Sequence, residues 1–197
     1  MTVTRRLGFA LLVTVLSGAA AAQGGVSIGT AHDSERENQT RAQLIRLLGA
    51  YDLDDWIFTT SVVIDERAIP HSHPVLTLHT RHNENDLHLL STFVHEQIHW
   101  HLVAKSDQTQ SAISELMKMF PSAPTGGTEG ARNAESTYLH LIVNYLELQA
   151  MKDLVGDRRA KEVFDFWTTD HYTWIYRTVL SDEDKIGAVV TQHALGI

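Results

Sequence analysis

Two histidines and a glutamate form the part of this chain best able to do chemistry. His95 and His99 stand four residues apart, with Glu96, Gln97 and Ile98 between them. On a helix this spacing projects both imidazoles from one face, about one turn apart. Both ring nitrogens can then reach one zinc ion at about 2.0–2.1 Å. Glu96 lies near the same face, placed to take a proton from a water that the metal has made acidic. An amide bond resists free water, and a metal paired with a carboxylate base answers that resistance. Histidine is common here, at twelve of 197 residues. Even so, chance yields such a string only about 0.04 times in a chain of this composition.

The chemistry requires elements that hold these residues in place. From Asp86 to Lys105 the pattern is helical, with Asn83, Asn85 and Asp86 able to cap its start. Before it, Pro74–Thr80 reads as a strand, with Val75, Thr77 and His79 facing opposite to Leu76 and Leu78. Trp56–Asp65 reads as an earlier strand, and Glu66–His73, with Pro70, as the turn between them. A helix begins at Ser34 and ends at Gly49, with Leu44, Ile45, Leu47 and Leu48 on one side. Downstream, Asp107 can cap a short helix, Gln108–Met119, before an irregular stretch, Phe120–Gly130, expected to border the cleft as a lid. A long helix, Asn133–Val155, stops at Gly156, and helices at Arg158–Trp167, at His171–Leu180 and after Ser181 finish the chain. The fold expected is a single α+β domain, mainly α, with a small sheet before the motif helix and a helical bundle after it.

Composition narrows the function classes. There is no cysteine, which excludes thiolate metal sites, cysteine nucleophiles and disulfides. Any metal must be held by His, Asp or Glu. The net charge is −8 with no basic cluster, which argues against nucleic acid and anionic membrane surfaces as partners. Residues 1–22 run from Arg5-Arg6 through an apolar stretch to Ala20-Ala21-Ala22, the order of a signal peptide cleaved before Gln23. The apolar stretch is too short to span a bilayer. Residues 23–197 are therefore expected as one exported domain, periplasmic or secreted, without stable membrane insertion. Gln23–His32, Gly-rich and polar, is expected to be mobile.

The string His95-Glu96-Gln97-Ile98-His99 resembles the signature of the zincin metallopeptidases, and the strand followed by the motif helix matches the order of elements in that family. The resemblance implies a zincin-like fold, bound zinc, hydrolysis of peptide bonds in a peptide or protein substrate, and an extended substrate lying beside the strand Pro74–Thr80. The metzincin extension would need Gly at 102 and His at 105, where this chain has Leu102 and Lys105. The layout is closer to the gluzincins, in which the third ligand comes from a later helix.

His140, Asn144 and Glu147 lie within about 60° of one another on the helix Asn133–Val155 and form a polar stripe in an otherwise apolar element. Such a helix is buried, and its polar groups need partners. His140 stands first as third ligand, with Asn144 behind it. Glu147 either hydrogen-bonds a ligand imidazole or is itself the ligand. Glu135 is a third candidate, although the helix dipole already accounts for an acid near that start. Tyr172 and Tyr176, four apart and beside His171, could stabilise the oxyanion of a tetrahedral intermediate, a part that zincins assign to a Tyr or His on a later helix. Arg177 could meet a substrate carboxylate. His71, His73, His79, His82 and His88 crowd the approach to the motif, with His88 on its face, whereas His101 faces away. The function expected is zinc-dependent peptide hydrolysis with Glu96 as general base. The rival is a non-peptidase zinc-binding protein or another amide hydrolase, because the motif specifies water activation rather than the bond attacked.

Overall fold

Alternation of apolar residues builds the sheet. Val26 and Ile28, Val62 and Ile64, and Leu76 and Leu78 are all buried. They lie on strands β2 (Val26–Thr30), β3 (Ser61–Ile64) and β4 (Leu76–Leu78). The computed structural model describes residues 21–23 and 25–197. Most of the expected signal peptide lies outside the described residues. Its last two residues, Ala21 and Ala22, form β1 (Ala21–Gln23) with Gln23. The four strands are ordered β1-β2-β3-β4. β1 is antiparallel to β2, and β2, β3 and β4 run parallel, with Ile28 opposite Val62 and Val62 opposite Leu76.

Two expectations are corrected here. The stretch expected to be mobile contains β2, whose Val-Ser-Ile-Gly-Thr alternation buries two side chains completely, and that burial outweighs the glycines around it. The strand expected at Trp56–Asp65 is confined to Ser61–Ile64, and Asp54–Trp56 forms a 3-10 turn.

Helix α1 (Glu35–Ala50) crosses between β2 and β3. Its start is a capping box: Ser34 accepts from the Glu37 amide, and Glu37 reaches back to the Ser34 amide. Helix α2 (Asp86–Ala104) carries the motif. Asn85 caps it by accepting from the His88 amide at 3.1 Å, and Leu90, Phe93, Val94 and Ile98 bury its inner face. α3 (Ser106–Met119) follows after Lys105. α4 (Ala134–Val155) is capped by Asn133 and ends at Gly156, whose φ of 82° suits a residue without a side chain. α4 is the central helix and packs against α2, α3, α5 (Asp157–Asp170), α6 (Thr173–Ser181) and α7 (Glu183–Gln192). Its nearly all-round apolar surface serves these many neighbours. The observed architecture is α+β and mainly helical, and no helix among the described residues is long and apolar enough to cross a membrane.

Candidate metal centre

Contacts between α2 and α4 assemble the site. Glu147 meets Ser91 and His95, whereas His140 lies against His95 and His99, so the two helices run antiparallel past each other. The ligand atoms of His95, His99 and His140 all lie within 4.8 Å of one another, and their rings are 5.1–5.5 Å apart between centroids. This trio could hold a metal ion. His140 Nδ1 is 2.6 Å from the Ser136 carbonyl, which can only accept, so the proton is on Nδ1 and the Nε2 lone pair is free. His95 Nδ1 likewise donates to Glu147 Oε2 at 3.0 Å.

The electrostatics of His99 and His140 suit ligation. Burial pushes His140 down to about 3 and, with the neighbouring His95, His140 and His73, holds His99 well below its usual value. Neutral imidazole is the form that binds metal. For His95, burial lowers the pKa, but the Glu147 hydrogen bond and the charges of Glu147 and Glu96 leave it raised. Burial lifts Glu96 to about 7, despite the opposing pull of His95 and His71. No group among the described residues hydrogen-bonds Glu96, so its oxygens are open to the cavity that it lines. A carboxyl group poised near neutrality can both take up and return a proton.

Glu147 is 99% buried, and its oxygens are occupied by Ser91 Oγ, His95 Nδ1 and Tyr176 Oη at 3.2 Å. Of its two expected arrangements it shows the first, a hydrogen bond to the His95 imidazole. Asn144, expected behind His140, is fully buried with neither amide atom hydrogen-bonded. Glu135 is exposed and accepts from Gln110 at 2.9 Å, away from the trio. A second trio, His32, Glu37 and Asp65, also brings ligand atoms together, but Glu37 is already occupied by four N–H groups.

A cavity of about 650 Å³ opens onto the centre and has Glu96, His95, His99 and His140 in its lining. Tyr172 and Tyr176 take different places in it. Tyr176 is buried on Glu147, whereas Tyr172, at φ 51° immediately before α6, brings its ring to 4.6 Å from that of His140. Its hydroxyl has no hydrogen-bond partner among the described residues. His171 also lines the cavity; Asp170 Oδ2 holds its Nδ1 at 2.7 Å, and Arg81 holds the other Asp170 oxygen at 2.6 Å. Sequence reasoning missed this Arg81–Asp170–His171 relay, because residues 89 positions apart give no local signal.

Other expected residues fall elsewhere. Arg177 pairs with Glu129 at 3.3 Å. His88 stacks on Phe166, and His101 Nε2 lies 2.9 Å from the Leu195 carbonyl in the C-terminal segment. Ring nitrogen against carbonyl fixes His101 as the donor. Contrary to expectation, the Phe120–Gly130 stretch does not border the cavity. Thr128 and Glu129 carbonyls accept from the first amides of α6, Gly126 is tied to Ala131, and no residue of the stretch lines the cavity. The lip is instead Ile69–Ser72, with Ile69 82% exposed. That segment also meets the strand beside which a substrate was expected: His71 exchanges both backbone hydrogen bonds with Thr77 there.

Comparisons with family models, with curated proteins and with solved structures found no match.

Proposed function

We propose that the chain is a zinc-dependent hydrolase of the zincin type that cleaves peptide bonds, with His95, His99 and His140 holding the ion. The observation that carries this reading is the convergence of three imidazoles, two of them buried, beside a carboxyl group that no other residue engages. Three histidines with one position left open are a ligand set that suits catalytic zinc. When bound, zinc supplies Lewis acidity, making a water nucleophilic near neutral pH. The chain's own residues supply the rest. Glu96 takes the proton from the attacking water and returns it to the leaving amine. Tyr172 donates its hydroxyl hydrogen to the oxygen that gains charge from the scissile carbonyl, and His171, whose Nδ1 proton is held by Asp170, turns an accepting Nε2 to the cavity. Glu147 fixes the His95 ring so that its Nε2 faces the other two. A zinc-binding protein without peptidase activity, or a hydrolase of another amide, would use the same centre.

The test compares wild type, Glu96→Gln and His140→Ala. Stoichiometric zinc in wild type and Glu96→Gln, hydrolysis of a peptide library by wild type alone, and loss of zinc from His140→Ala are expected. A wild type without zinc after reconstitution sinks the reading. Zinc without hydrolysis of any peptide transfers it to the non-peptidase alternative.

A further inference from the structure

Two arginines line the cavity. Arg81 is held by Asp170. Arg132 lines the same cavity beside Ser136, His140 and Tyr172, and no carboxylate pairs with it among the described residues. The acids in the lining cannot reach out to it. Glu147 is committed to Ser91, His95 and Tyr176, and Glu96 is buried at the floor. The backbone on both sides of Arg132 is fixed. Ala131 donates to Thr137 Oγ1 at 3.0 Å and accepts from Gly126 at 2.6 Å, and Asn133 caps α4 through the Ser136 amide at 2.8 Å. An acidic protein thus presents at its cleft a guanidinium that is unpaired among the described residues, on a backbone segment fixed from both sides. Guanidinium is the side chain whose fork of donors matches a carboxylate.

We infer that Arg132 binds a carboxylate of the substrate, so that the cleft selects chains carrying a negative charge near the bond presented to Glu96. Cleavage of that bond rests on the peptidase reading; recognition of the carboxylate does not. The carboxylate can come from an Asp or Glu side chain or from a free C-terminus. A charge-assisted hydrogen bond from a guanidinium to a carboxylate is worth about tenfold in affinity.

The test uses the full-length chain loaded with zinc and carrying Glu96→Gln, so that peptides bind without turnover. Three matched peptides are titrated by calorimetry: one with an internal Glu and an amidated end, one neutral with a free C-terminus, and one neutral and amidated. One of the first two should bind at least about tenfold more tightly than the third, which identifies the source of the carboxylate. Adding Arg132→Gln should bring that ratio close to one, and Arg132→Glu should reverse it in favour of a Lys-containing peptide. A ratio unchanged by Arg132→Gln, or equal binding of all three peptides, overturns the inference. In the Glu96-containing enzyme the expected change is a rise in KM for the carboxylate peptide. A fall in kcat shared by all peptides would place Arg132 on the reacting atoms and also overturns it. Arg132-dependent binding with no hydrolysis by wild type would sink the peptidase reading alone, whereas hydrolysis indifferent to Arg132 would sink this inference alone.

Discussion

A carboxylate with 1% of its surface exposed needs partners, and Glu147 collects them from two helices, α2 and α6. Trp167 donates to Ser91 Oγ, Ser91 and Tyr176 donate to Glu147, and Glu147 accepts from His95. The chain from indole to imidazole fixes the His95 ring from behind. Glu147→Gln keeps the shape but loses the charge that favours His95 Nδ1–H as donor. Zinc affinity should fall about 10–100-fold, measured by competition with a chelator. An unchanged affinity would show that Glu147 serves packing alone. The polar stripe on α4 was legible in the sequence, but the division of labour within it was left open. Helix geometry separates His140 from Glu147 by seven residues, about 10 Å along the axis, so one ion cannot take both. Which of them meets the motif depends on how α4 slides past α2, and that is set by apolar contacts distributed along both helices.

At the scale of elements, the middle of the motif has structural work as well. Gln97 Oε1 accepts from the amides of Phe58 and Thr59, both at 2.8 Å, and its Nε2 donates to the Thr59 carbonyl at 2.9 Å. One fully buried side chain therefore satisfies the backbone that leads into β3, pinning the sheet to the motif helix. Gln97→Leu leaves those amides unpaired and should cost about 2–3 kcal/mol, read from urea melts. A loss below about 0.5 kcal/mol, the range of ordinary surface substitutions, would refute the role. The same contact explains why the strand expected from Trp56 begins only at Ser61: Phe58 and Thr59 give their hydrogen bonds to a side chain instead of a neighbouring strand. The helices were read nearly to their ends, because caps such as Ser34, Asn85 and Asn133 are local signals. β2 was not, because its burial depends on α1 and β3 covering it.

Two groups make the folded molecule less stable in acid. Burial, with Arg81 and His88 nearby, pushes His82 down to about 4 from 6.5. The unfolded chain therefore takes up this proton first, and stability falls as pH drops from 6.5 to about 4. Glu37 acts with the same sign. Burial raises its pKa, but hydrogen bonds from His32 and from the amides of Glu66, His32 and Ser34 leave it below 4.5. Its contribution is complete above 4.5 and is lost as pH falls through the lower folded value. His82→Phe should flatten the decline between pH 6.5 and about 4 by up to about 1.4 kcal/mol per pH unit, measured by thermal melts across that range. An identical slope in the variant would clear His82 of the effect. The bridge between His71 and Thr77 has a consequence at this scale too. An unpaired strand edge is a template on which other chains can add and grow into fibrils. By occupying Thr77, and by flanking it with Pro70 and Pro74, which have no amide hydrogen to offer, the cleft lip protects β4 against that fate.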